Sequence, residues 1–89
     1  MENKTVSKIA KAQNVVINFL KESIDGEDIR VIKLEKEDMD WFAKAEAYMD
    51  DSFLKAMNMP PKKTRVYFSV KLDKDLEVVG YERMDSIDQ

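Results

Sequence analysis

At Gly26 the spacing of apolar residues switches from a helical period to a strand period, and that change divides the chain into a helix and a sheet. Upstream, Val6, Ile9, Ala10, Gln13, Val16, Ile17 and Leu20 recur at i, i+3, i+4 and i+7, with Lys4, Lys8, Lys11, Asn14, Asn18 and Lys21 mostly on the other side. This predicts an amphipathic helix over about 5–23, with Thr5 or Ser7 as the hydroxyl cap. Asp25-Gly26 is the expected stop, because glycine enters the left-handed conformation past a helix end without a Cβ clash.

Downstream the period is 2. A strand is expected over about 28–36, with Ile32 and Leu34 on one side and Ile29 and Val31 on the other, so that the inward face stays open. The acidic cluster Glu35, Glu37, Asp38 and Asp40 marks a turn. A second strand, about 41–49, alternates Trp41, Ala43, Ala45, Ala47 and Met49 with Phe42, Lys44, Glu46, Tyr48 and Asp50. A helix over Trp41 to Met57 is the local rival, since Ala, Lys, Glu and Met are good helix formers. The strand is preferred because the alternation is sustained and a hairpin partner lies upstream. Three alanines on one face leave room for the helix to pack closely there.

Asp51-Ser52 opens a short helix, about 52–58, which Pro60-Pro61 ends because proline lacks the backbone donor. Two further strands, about 65–72 and 76–84, flank Asp73-Lys74-Asp75. Setting Leu72 opposite Leu76 pairs Val70 with Val78 and Phe68 with Gly80 on one face, and Lys71 with Glu77, Ser69 with Val79 and Tyr67 with Tyr81 on the other. A bulge at Gly80 is the alternative to a ring lying over bare backbone. The expected fold is α+β, one domain over 1–89: an N-terminal helix packed on a four-stranded antiparallel sheet of two β-hairpins, with a short helix between the hairpins. The residues after Arg83 are expected to fray.

The 89 residues carry 15 Lys+Arg against 18 Asp+Glu, a net charge of −3, with no His and no Cys. The charge balance argues against general nucleic-acid binding, which needs a basic stripe. Missing His and Cys remove disulfides, thiolate metal sites, cysteine nucleophiles and the usual general base. Glu35, Glu37, Asp38 and Asp40 do not have the spacing or the glycine of a calcium loop, so a solvated turn is expected rather than a metal site. No phosphate-cradling glycine motif is present, and Ser52 and Ser69 have no base partner in the sequence. The expectation is no catalysis and no cofactor. No apolar run is long enough to span a bilayer and the N-terminus has no leader-like segment, so a cytoplasmic location without membrane insertion is expected.

Binding is the better prospect. The sheet face away from the helix is expected to carry Phe42, Tyr48, Tyr67, Val79 and Tyr81, with Lys44, Glu46, Arg65, Lys71, Glu77 and Arg83 between them. Aromatics and arginine are enriched at interfaces. Phe42, Tyr48, Tyr67, Tyr81, Arg65 and Arg83 are therefore the candidate protein-binding residues, for a partner or for a second copy through the open sheet face. The competing reading is a face that is only half-solvated, as antiparallel sheets often are. Phe53, Leu54, Met57 and Met59 form a second apolar cluster, which either plugs an end of the core or serves an adaptable partner.

These residues carry a resemblance. A helix, a strand, a Trp-led strand with a central acid (Trp41 to Glu46) and a connection with Pro60 lead into Tyr67-x-x-Val70-x-Leu72-Asp73-x-Asp75-x-Glu77-Val78-Val79-Gly80-Tyr81-x-Arg83. From about Val15 to Arg83 the chain resembles the gas vesicle protein O family, small accessory proteins encoded with gas vesicle genes in bacteria and archaea. It departs from that pattern in having Leu76 where the turn usually has glycine, and in ending Met84-Asp85-Ser86-Ile87-Asp88-Gln89 rather than in an Arg/Tyr-rich stretch. The resemblance implies a non-enzymatic accessory protein in gas vesicle formation, acting through contacts with other gas vesicle proteins. Two rivals stand beside it: a small PepSY-like or cystatin-like regulatory or inhibitory domain, and an enzyme or ligand binder with a pocket between sheet and helix.

Overall fold

The computed structural model describes residues 4–60 and 62–84. The chain runs α1 (Lys4–Ser23), β1 (Gly26–Glu37), β2 (Asp40–Asp50), α2 (Ser52–Ala56), β3 (Lys63–Leu72) and β4 (Val78–Met84). The strands form one antiparallel sheet in the order β1-β2-β3-β4, with α1 on one face. This is the expected α+β architecture, and Trp41 to Asp50 is strand rather than helix.

The alternation in β2 sets the core. Trp41, Ala43, Ala45 and Ala47 pair with Leu72, Val70, Phe68 and Val66 of β3, and these buried side chains form a single layer under the helix. From above, Ala12, Val16 and Leu20 complete it at i, i+4, i+8, flanked by Val15 and Phe19. The buried stripe is therefore turned from the expected one: Ala10 and Gln13 are exposed, and Ala12, Val15 and Phe19 do the packing. Small side chains on β2 are what let a stripe containing Ala12 and Val16 approach the sheet. Trp41 Nε1 is buried in this layer without a hydrogen-bond partner among the described residues.

Two local expectations about α1 change. The helix already includes Lys4, so Thr5 and Ser7 lie within it rather than capping it. Gly26 has no positive φ and opens β1. Its lack of a side chain serves close packing, since a Cβ there would come within 3.3 Å of Ala47, Ile24 and Met49. The helix closes instead with Ile24 N–H donating to the Leu20 carbonyl.

Strand β1 settles which of its residues face inward by breaking its own period. Register shifts between Glu27 and Arg30 and between Val31 and Lys33 insert extra residues opposite β2. As a result Ile29, Val31 and Leu34 all pack against the core, while Ile32 is left 44% exposed. The tight turn to β2 is Asp38-Met39, closed by the Glu37–Asp40 pair, with Asp38 in the left-handed region at φ 55. Aspartate tolerates that conformation better than most residues.

Between the hairpins, Asp51 caps α2 by accepting from Leu54 N–H, as the sequence suggests. Asn58, at φ 60, ends it, with Asn58 and Met59 N–H groups donating to the Lys55 and Leu54 carbonyls. The excursion is closed at its neck by Asp51 N–H donating to the Lys62 carbonyl. Leu54 is only half-buried and Met57 and Met59 are exposed, so these three do not plug the core. The side chain of Phe53, Pro61, and the residues after Met84 lie outside the described residues.

The last hairpin forms with a register different from the expected one. Asp73 N–H donates to the Glu77 carbonyl and Leu76 N–H to the Asp73 carbonyl, while Asp73 Oδ1 accepts from Asp75 and Glu77 N–H. The loop is thus Lys74-Asp75-Leu76, a turn followed by a left-handed residue, and Leu76 fills that role at φ 63. Leu72 then pairs with Val78, and a bulge at Val79 brings Lys71 opposite Gly80, Val70 opposite Tyr81 and Phe68 opposite Arg83. A bulge does form in this region, at Val79 rather than at Gly80, which pairs regularly with Lys71.

Candidate functional site

Counting outward from the buried positions, the outer face of the sheet carries the other half of each strand. Four rows cross it: Glu27–Tyr48–Arg65, Arg30–Glu46–Tyr67–Met84, Lys33–Lys44–Ser69–Glu82, and Glu35–Phe42–Lys71–Gly80, with Met84 buried although its partner Tyr67 is only half-buried. Of the six candidate residues, Phe42, Tyr48, Tyr67 and Arg65 are gathered here. Tyr81 and Arg83 are not. The bulge at Val79 changes the parity of β4, so both turn to the helix side. There the Tyr81 ring meets Phe19 of α1 edge-on, with centroids 4.8 Å apart at 78°. Tyr67 and Tyr81 therefore do not form a cross-strand pair. Tyr81→Ala should lower the unfolding free energy by about 1–2 kcal/mol through loss of this contact and its burial, measurable by urea denaturation.

The centre of the outer face is built around Arg65. Its Nε and Nη2 donate to Tyr48 Oη at 3.2 and 2.9 Å, and the guanidinium lies 5.5 Å from the Tyr48 ring centroid. Glu46, whose side chain is largely covered, lies 3.9 Å from Arg65 Nε. Hydrogen bonding to the Tyr67 and Tyr48 hydroxyls, with the Glu46 charge, raises the Arg65 pKa above its ordinary value. The group is a cation held against the Tyr48 phenol, with its other side open to solvent. Because β-sheet neighbours hold both partners, little side-chain freedom remains to be lost when another surface docks.

A second centre lies toward the tight turns. Lys71 sits 5.5 Å from the Phe42 centroid and 3.7 Å from Asp40. Next to Phe42 and Lys71, Gly80 leaves bare backbone, forming an open depression of about 340 Å³. At the rim, Lys33 bonds Glu35 at 2.9 Å and holds that carboxyl below its usual range. At the other end Lys63 bridges Asp50 and Glu27, and bonding to Asp50 raises its pKa. Arg30, opposite Glu46, is a face residue that alternation does not reveal, because the bulges of β1 displace it from the simple period.

On the helix side, Arg83 lines a cleft of about 210 Å³ with Asp50, Asp51 and Thr64 over a floor of Met49 and Val66. Its charges are mixed. Among the described residues no group of three or more His, Cys, Asp or Glu side chains is placed to hold a metal ion. No helix among them is long and apolar enough to cross a membrane.

Comparison with protein-family models, curated proteins and solved structures found no match. The chemistry of this chain is therefore read from its own surface. That surface offers flat aromatic area, fixed cations and partly covered carboxylates in alternation. It suits recognition of another protein's mixed polar and apolar surface better than enclosure of a small molecule.

Proposed function

We propose that this protein is a non-enzymatic, cytoplasmic accessory factor in gas vesicle formation that works by protein–protein contact through the outer face of its sheet. The observation that carries the binding role is the Tyr48–Arg65 pair, stacked and hydrogen-bonded on an open face beside Tyr67 and Phe42. Tyr and Arg held in fixed rotamers are the side chains that dominate binding energy at interfaces. The gas vesicle assignment rests on the motif from Trp41 to Arg83.

The test is affinity capture of the tagged protein from gas-vesicle-forming cells, with mass spectrometry of what co-purifies. Gas vesicle structural or accessory proteins are expected. The double change Tyr48→Ala, Arg65→Ala should reduce their capture at least about tenfold without shifting the melting temperature by more than a few degrees. Capture of only unrelated proteins would overturn the gas vesicle assignment. Unchanged capture by the double variant would overturn the proposed face.

A further inference from the structure

Among the described residues the sheet has two free edges, β1 and β4. A free edge presents unpaired backbone donors and acceptors, which a second strand can satisfy. Edge β1 is protected by two register shifts and by Asp28 in the left-handed conformation at φ 51. Edge β4 has its single irregularity at Val79, near its start, and runs regularly from Gly80 to Met84. Val79 and Tyr81 on this edge are 56% and 47% exposed.

We propose that β4 pairs antiparallel with β4 of a second copy, about a two-fold axis at Tyr81, joining two sheets edge to edge. In a two-fold antiparallel pair, facing residues must lie on the same side of the sheet, so the axis passes through a residue rather than between two. Five residues, Gly80 to Met84, lie in the regular part of the strand, and a centre at Met84 would carry the pairing past the end of β4. Glu82 would place carboxylate against carboxylate, and Arg83 guanidinium against guanidinium. Gly80 would set Tyr81 against the bulged Val79 and run the ladder through the irregularity. Tyr81 sets no like charges face to face and keeps the ladder regular over Gly80–Glu82, meeting Val79 only at its ends, where it faces Arg83.

The Tyr81 register also makes use of the bare backbone at Gly80. Lys71 faces Gly80 across β3 and β4, and Gly80 would face Glu82 of the second copy. A side chain at Gly80 would stand between them, but a Cβ there has nothing within 4 Å. Lys71 and the second copy's Glu82 are then two strand spacings apart, about 10 Å between Cα atoms, within the joint reach of the two side chains. Symmetry makes this opposite-charge pair twice. On the helix side the two Tyr81 rings meet, each backed by its own Phe19. The outer faces stay open and become one surface with two Tyr48–Arg65 centres, so the pairing does not rest on the proposed function.

Sedimentation velocity over the micromolar to millimolar range tests this, together with amide hydrogen exchange of β4. A concentration-dependent dimer with slowed exchange at Gly80–Glu82 is expected. Glu82→Lys and Lys71→Glu should each weaken self-association at least about tenfold, because each sets like charges across the seam. The double swap Lys71→Glu, Glu82→Lys should restore it, a recovery that misfolding would not produce. A monomer at all concentrations overturns the proposal and leaves the edge to a different extended partner. A dimer insensitive to Glu82→Lys, or one that the double swap does not restore, overturns the β4 seam.

Discussion

Phe68→Ala should lower the unfolding free energy by about 3–5 kcal/mol, enough to leave a domain of this size marginal or unfolded. Phe68 is 4% exposed in the middle of β3, opposite Ala45, and belongs to the layer beneath α1. Removing its ring takes away both buried apolar area and the contacts of its neighbours. The sheet cannot collapse to fill the gap, because the residue across from it is already alanine. Phe42→Ala is the matched control. Phe42 lies on the outer face of the adjacent strand and is 37% exposed, so its loss should cost less than about 1 kcal/mol. Thermal unfolding separates the two readily, since each kcal/mol moves the midpoint of such a domain by about 4–8 °C. Equal losses for the two variants would mean that both faces of the sheet are covered.

Ala45→Leu should destabilise by about 1–3 kcal/mol for the opposite reason. Ala45 is fully buried between Val31 and Phe68, under a helix whose own buried stripe includes Ala12 and Val16. Extra methylenes there have no space, so α1 must lift and give up contacts along its length. The same change at an exposed strand position would be mild. Denaturant unfolding of Ala45→Leu alongside Ala45→Gly distinguishes crowding from strand propensity. Glycine should cost about 1 kcal/mol through backbone entropy and lost burial, without displacing the helix.

Both predictions depend on the alternation in β2, and that much is legible in the sequence. The helix before Gly26, the strand character of Trp41 to Asp50, the cap at Asp51 and the existence of the last hairpin all follow from interactions between residues a few positions apart. Such interactions write themselves into spacing. Phe42, Tyr48, Arg65 and Tyr67 share the outer face because β2 and β3 pair without a break over their whole length. Simple alternation therefore suffices to place them.

The tertiary structure decided what depends on how one strand sits against another. The bulges of β1 turn Ile29, Val31 and Leu34 to the same side, although their spacing of two and then three residues fits no strand period. In the last hairpin Asp73 closes a three-residue loop by accepting from two backbone donors, with Leu76 in the place a glycine would take. The bulge at Val79 then sends Tyr81 and Arg83 to the helix side. A one-residue insertion reverses every side chain beyond it. Its cost is local, whereas the gain, Tyr81 against Phe19, comes from a helix some sixty positions earlier in the chain. Spacing along a sequence records short-range preferences. It does not record a balance struck between residues that meet only once the chain has folded.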